Sequence, residues 1–212
     1  MEPEAEAKSS NTSWPSSHDT ALCLIPPQSL WPAINRVRSL NDKAYGKWPP
    51  HINLVYPFVP PAMLSEAAEV LEQLDLSGLQ SSSISIDGAD AFVHRKYSML
   101  YLKPSGDSGC YLPALVNNIR RSFGWDAQPG FQPHLTVGQS EDPASDMHKL
   151  LLEKARLLTP ISWDLTHLVI MKRDELRGEE NSMRRMRVWK AMNIASKTLS
   201  DITLPEDESI GE

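Results

Sequence analysis

Apolar residues recur along this chain in two rhythms, one of about 3.6 residues and one of 2, and their alternation outlines the fold. Thr20 to Ile25 is a short apolar run stopped by Pro26-Pro27, which predicts a buried strand. From Gln28 to Ala44, Leu30, Ile34, Val37 and Leu40 fall at three- and four-residue steps, with Ser29 placed to cap and Pro32 in the first turn. That pattern predicts an amphipathic helix. Trp48-Pro49-Pro50 forces extended backbone into His51–Phe58, a predicted strand with His51, Asn53 and Val55 on one face and apolar residues on the other.

Met63 to Leu74 has helical periodicity and leads across the polar stretch Asp75 to Ser83 to a strand marked by Ile84 and Ile86. Phe92-Val93 and Ser98 to Leu102 flank His94, Arg95 and Lys96, the pattern of a hairpin. Tyr111 to Phe123 predicts a helix stopped by Gly124, and Pro133 to Gly138 a strand. Pro143 to Leu158 again reads as helix, Ile161 to Met171 as strand, and Met186, Val188 and Lys190 close the chain with a last alternation. Strands and helices mix without a βαβ rhythm, so the expected class is α+β. A coarse repeat runs through the order: a helix precedes a strand carrying His-x-(Asn/Thr)-(Leu/Val), once at His51 and once at His134. Two pseudo-symmetric lobes follow, and if their histidine strands lie side by side the imidazoles can face one phosphate across a central groove.

Composition narrows the setting. The 212 residues suit one domain, expected over 20–196 between acidic, disordered tails at 1–19 and 197–212. No run approaches the ~20 apolar residues that span a bilayer, and the N-terminus lacks the basic and apolar segments of a secretory signal. A cytoplasmic or nuclear address and a monomer are expected. The net charge of −6 argues against broad nucleic-acid binding, but the two tails together hold −7, so the body is close to neutral at +1. A small anionic substrate or a single RNA end remains compatible. Cys23 and Cys110 lack partners at metal or redox spacing and read as reduced bystanders. No His-Glu-x-x-His, Asp-x-Asp or Cys/His cluster suggests a metal, no Gly-rich loop suggests a triphosphate, and no cofactor is expected.

The chemistry lies in the two histidine motifs. A period of two puts His134 and Thr136 on one face of their strand while Leu135 and Val137 turn to the other; His51-Ile52-Asn53-Leu54 repeats this with a carboxamide for the hydroxyl. An imidazole titrates at about 6.5, so one member of a pair can accept a proton while the other donates one, the division that phosphodiester cleavage needs. Thr136 Oγ and Asn53 Nδ2 are candidate donors to the non-bridging oxygens. Which histidine is the acid stays open.

At Pro50-His-Ile-Asn-Leu-Val-Tyr-Pro-Phe58 and Phe131-Gln-Pro-His-Leu-Thr-Val-Gly-Gln139 the chain resembles the 2H phosphoesterase superfamily, which includes 2′-5′ RNA ligase-like proteins, cyclic nucleotide phosphodiesterases and relatives that trim RNA ends. The resemblance rests on two His-x-(Thr/Ser) motifs, here 83 residues apart, and extends in element order over about Thr20 to Ser196. It implies a bilobal fold, His51 and His134 as catalytic residues, and Asn53 and Thr136 as phosphate ligands. It also implies an RNA end or nucleotide with a cyclic phosphate as substrate, and a 2′-phosphate product more often than a 3′-phosphate; with a ribose hydroxyl as the attacking group, the same pair would instead trim RNA 3′ ends or form a 2′-5′ linkage reversibly. Asn53 departs from the family's Thr or Ser, which brings altered preference or a binding-only site into question. Tyr56 and Phe131 flank the motifs as candidates for stacking or for the core, and Arg173 belongs to residues 171–190, which hold seven basic side chains against four acidic ones and are placed to guide RNA. His18, His94, His148 and His167 lack a matching neighbour and read as structural or exposed.

Overall fold

The protein is described by a computed structural model over residues 13–174 and 184–202. Its elements are β1 (Thr20–Leu24), α1 (Trp31–Asn41), β2 (Ile52–Val55), α2 (Leu64–Glu72), β3 (Ser83–Val93), β4 (Ser98–Pro104), α3 (Gly106–Ser122), β5 (Leu135–Ser140), α4 (Asp146–Arg156), β6 (Ile161–Asp164), β7 (His167–Arg173), β8 (Met186–Asn193) and β9 (Leu199–Ser200). The strands form one antiparallel sheet in the order β6-β3-β4-β5-β2-β1-β7-β8-β9. The α+β class and the two lobes are as the sequence suggests: β1-α1-β2-α2 and β4-α3-β5-α4 run the same course, and β2 and β5, each immediately preceded by its histidine, meet at the centre.

The main core joins the lobes. It collects Leu22, Leu24, Ile52 and Leu54 from one half and Leu100, Leu102, Leu135 and Val137 from the other, under Ile34, Leu71, Ile119 and Leu151 of the helices. Each helix that precedes a histidine strand reaches across the junction, α1 onto β5 and α3 onto β2. Gly138 permits the first contact, because a Cβ there would meet Asn41 Cβ at 3.0 Å. On the opposite face a smaller cluster, Ala21, Cys23, Val169, Met171, Met186 and Ala191, lies under Trp48 and Val188.

Several sequence expectations are corrected. The run Ile161–Met171 is two strands: β6 pairs with β3 in one lobe, the chain crosses at Leu165-Thr166, and β7 pairs with β1 in the other. The pattern does not register that crossing, because Ile161, Trp163 and Leu165 keep a two-residue step up to it and Leu165 stays buried where the chain crosses. Conversely, β3 is one long strand across Gly88 to Asp90, kept in register with β4 by a bulge at Asp87. Helix α3 begins at Gly106 rather than Tyr111; the weak helix propensity of its first turns is offset by Ser108 Oγ, which donates to Ser105 O at 2.7 Å, lies 3.1 Å from Ser85 O and accepts from Ser85 N–H at 3.2 Å. Tail boundaries also shift. Trp14 N–H donates to Phe123 O, Ser17 pairs with Phe58, and β9 extends the sheet beyond Lys197. The remaining tail residues, and Arg177 of the basic segment, lie outside the described residues.

In α1, Leu40 of the expected apolar stripe is exposed and Arg38 takes the buried position. Its Nε donates to Asp42 Oδ2 at 2.8 Å, Nη1 to Asn35 Oδ1 at 3.3 Å, and Nη2 to the Trp48 carbonyl at 2.9 Å. Asp42 in turn accepts from Ala44 N–H, so this ion pair ends α1 and fixes the loop that delivers His51. Arg38→Met is expected to destabilise the protein by about 3–5 kcal/mol in urea unfolding, because it strands the buried Asp42 carboxylate.

Candidate active site

Ile52 of β2 pairs with Leu135 of β5, both fully buried on the helical side. Carrying that antiparallel register one residue each way sets His51 across from Thr136 and Asn53 across from His134, so the two motifs form one tile with the histidines on a diagonal. Each motif ends in a bulge at the same place. Leu54, after Asn53, is the extra residue against β1, and Val137, after Thr136, is the extra residue against β4. The bulge corrects one expectation: Val55 does not share the His51 face but turns into the main core opposite Leu22. It also makes Cys23, across from Asn53, the counterpart of Tyr101, across from Thr136.

The imidazoles are held alike. His51 Nδ1 bonds the Pro49 carbonyl at 2.8 Å and His134 Nδ1 bonds the Gln132 carbonyl at 2.8 Å. A carbonyl only accepts, so each Nδ1 carries a hydrogen and each Nε2 is the nitrogen left for proton transfer. Burial, followed by the charges of Arg38 and His134, pushes His51 down to about 4, against opposing contributions from the Pro49 bond and Asp42. Burial also lowers His134, partly offset by its bond to Gln132.

Their surroundings differ. Trp48 stacks on His51 with centroids 4.6 Å apart and planes 20° from parallel, and the Arg173 guanidinium lies 6.0 Å from the Trp48 ring. Tyr56 meets Trp48 edge-on at 5.4 Å and His18 at 5.3 Å, while its hydroxyl donates to His18 O at 3.4 Å. Asp19 pairs with Arg173 at 3.5 Å and with Arg184 at 3.0 Å beside this cluster. His134 instead meets the edges of Phe92 at 5.0 Å and Tyr101 at 5.5 Å, two rings that stack on each other.

Thus His51, Asn53, His134 and Thr136 come together, with Tyr56 and Arg173 joining through Trp48. Phe131 packs against the main core. Four residues beside the histidines escaped the sequence reading: Cys23, Trp48, Phe92 and Tyr101. Trp48 had signalled only an extended backbone, and a weak cue to Cys23 lay in its alternation with the buried Leu22 and Leu24. Cys23 is free, but it is no bystander, since its Sγ lies 3.2 Å from Asn53 Oδ1. His148 is buried against Ser98 Oγ at 2.8 Å, and His18, expected in the tail, touches Tyr56.

Comparison with known proteins supports the same architecture. A model of the 2′-5′ RNA ligase superfamily matches residues 26–177. No curated protein matches the chain. Among solved structures, Escherichia coli LigT complexed with 3′-AMP is 14% identical with a TM-score of 0.54, over 85% of this chain and 99% of that one. LigT complexed with ATP is 15% identical with a TM-score of 0.53, over 82% and 96% respectively. TT0787 of Thermus thermophilus is 13% identical with a TM-score of 0.53, over 82% and 97%. At these identities the structures show a shared fold, and it is the family model, spanning most of the chain, that establishes that this protein belongs to the 2′-5′ RNA ligase superfamily of 2H phosphoesterases.

Proposed function

We propose that this protein is a metal-independent phosphoesterase that hydrolyses a 2′,3′-cyclic phosphate, or a related phosphodiester, of an RNA end or nucleotide. The observation that carries the proposal is the central tile: two imidazoles on adjacent strands, each with Nδ1 tied to the carbonyl two residues before it and Nε2 left for chemistry. One ring takes a proton from water and the other gives one to the departing ribose oxygen. Thr136 Oγ and the Asn53 amide supply donors for charge that develops on phosphorus-bound oxygens, so the reaction asks for no metal ion. Nucleotide complexes of LigT support a nucleotide-sized substrate, and Trp48, Tyr56 and Arg173 supply stacking and charge beside His51. No helix among the described residues is long and apolar enough to cross a membrane. The cytoplasmic or nuclear address is proposed from the sequence alone.

One observation favours a second reading, a module that binds such an end without turnover. Asn53 Nδ2 lies 3.1 Å from His51 Nε2 and covers the lone pair that a base must use. Asn53→Thr separates the cases: a large gain in turnover marks a degraded catalytic site, whereas unchanged affinity with no turnover marks a pure binding module.

The deciding experiment is hydrolysis of a short RNA ending in a 2′,3′-cyclic phosphate, in EDTA, with identification of the product phosphate. His51→Ala and His134→Ala are each expected to lower kcat/KM by about 10²–10⁴-fold, with little further loss in the double variant. Binding without turnover in the parent would replace the hydrolase with the binding module. Both imidazoles titrate below their ordinary range, so kcat/KM should follow a bell on the acid side, with one limb near pH 4 and the other below 6.5. The same shifts link to stability. Neutral His51 contributes stability that is complete above the unfolded value of 6.5 and is lost as pH falls through about 4, so the urea midpoint should drop over that window in the parent and less in His51→Ala.

A further inference from the structure

We infer that Cys23 is a positioning residue that breaks the symmetry of the histidine pair: its thiol holds the Asn53 amide in the orientation that keeps His51 Nε2 unprotonated, which makes His51 the general base and His134 the general acid. The inference rests on the acid/base role proposed above and says which partner does what.

The direction of three bonds carries it. Pro49 O accepts from His51 Nδ1, so Nε2 of the neutral ring presents a lone pair. Asn53 Nδ2 sits 3.1 Å from that lone pair and can only donate to it. The amide oxygen is thereby turned to Cys23 Sγ, 3.2 Å away, and the thiol donates to it. A flipped amide would set oxygen against the Nε2 lone pair and NH₂ against sulfur, a weak acceptor, and suits only a protonated ring. Burial holds the Cys23 thiol far above its ordinary range, so the donor proton stays on sulfur. Cys23 is fully buried among Ala21, Val169, Met171 and Ala191, an apolar patch that offers the thiol side-chain packing rather than a competing acceptor.

The other groups facing His51 do not favour the imidazolium on balance. Arg38 of α1 and His134 of β5 oppose its charge, Asp42 at the end of α1 favours it, and Arg173 of β7 stands behind Trp48, with Tyr56 at that ring's edge. On the other strand the counterpart of Asn53 is Thr136, whose hydroxyl donates or accepts with equal ease and so follows either state of His134. The counterpart of Cys23 is Tyr101, whose ring lies against His134.

In the reaction, a non-bridging oxygen of the substrate takes over the Asn53 N–H and frees Nε2 for water. Water oxygen bonds to phosphorus as its proton passes to His51 Nε2; the bond from phosphorus to one ribose oxygen breaks as His134 Nε2 delivers a proton to that oxygen. One water is added across one P–O bond, and the proton returns from His51 to His134 through solvent.

The experiment is ring-nitrogen NMR of His51 across pH in the full chain, for the parent, Cys23→Ala and Cys23→Ser, followed by residual kinetics of His134→Ala on the cyclic-phosphate RNA. The parent should show the neutral Nδ1–H form. Cys23→Ala should raise the His51 titration by about 0.5–1 pH unit, the equivalent of one neutral hydrogen bond, and Cys23→Ser, which keeps a donor, should restore it. The residual rate of His134→Ala should rise with pH through the His51 titration and then level. An Nε2–H form in the parent, or an unmoved titration in a folded Cys23→Ala, overturns the positioning role. A residual rate that falls with pH makes His51 the acid and overturns the assignment. Absence of turnover in the parent refutes the hydrolase alone, because the NMR titration judges the Cys23 contact without any activity.

Discussion

The pairing of Ile52 with Leu135 is the contact on which the site depends. It joins two lobes of one sheet, and both side chains are driven into the core that the lobes share. Strand alternation then leaves His51, Asn53, His134 and Thr136 no choice of face. A slip of one residue at this junction would bury the imidazoles and expose Ile52, Leu54, Leu135 and Val137. The burial of that apolar surface is worth several kcal/mol, far more than any polar contact in the tile, so the register of the chemistry is set by groups that take no part in it. The cross-packing of α1 on β5 and α3 on β2 reinforces this, since neither lobe can complete its share of the core alone.

Repetition supplies the scaffold, and departures from it supply the function. Both motifs have the same alternation, the same bulge and the same bond from Nδ1 to the carbonyl two residues earlier. Two identical imidazoles in identical settings would titrate together and divide the labour of acid and base poorly. The surroundings separate them: Arg38, Trp48 and a thiol-oriented amide beside His51, two aromatic edges and a hydroxyl beside His134. Pairs of titratable groups pushed apart by environment are the arrangement from which acid/base roles arise.

The sequence exposed the parts of this site that obey a period. His51 with Asn53, and His134 with Thr136, stand two apart between residues destined for the core, and the repeat of that pattern was enough to place both strands in one fold class. What it concealed was set by geometry without a period. Val55 left its expected face because a bulge consumes Leu54, and bulges leave no signature in an apolar run. The division of Ile161–Met171 into two strands at opposite sides of the sheet was hidden because Leu165 stays buried through the crossing. Cys23 and Trp48 were hidden for other reasons: Cys23 reaches Asn53 only through the pairing of two strands distant in sequence, and Trp48, three residues before His51, stacks on it only because the non-periodic Pro49-Pro50 turn folds the chain back.

Arg38 illustrates how such a contact can be structural and electrostatic at once. A buried arginine with a buried aspartate contributes little net stability, because desolvation offsets most of the attraction. Its value lies in what the remaining donors hold. Nη2 fixes the Trp48 carbonyl, Trp48 lies flat on His51, and the guanidinium charge itself disfavours the imidazolium. Hydrophobic residues of similar volume could fill that space, but they would neither tie the loop to α1 nor bias the ring's proton. Arg38 in a helical stripe is therefore better explained by the state of His51 than by the stability of α1.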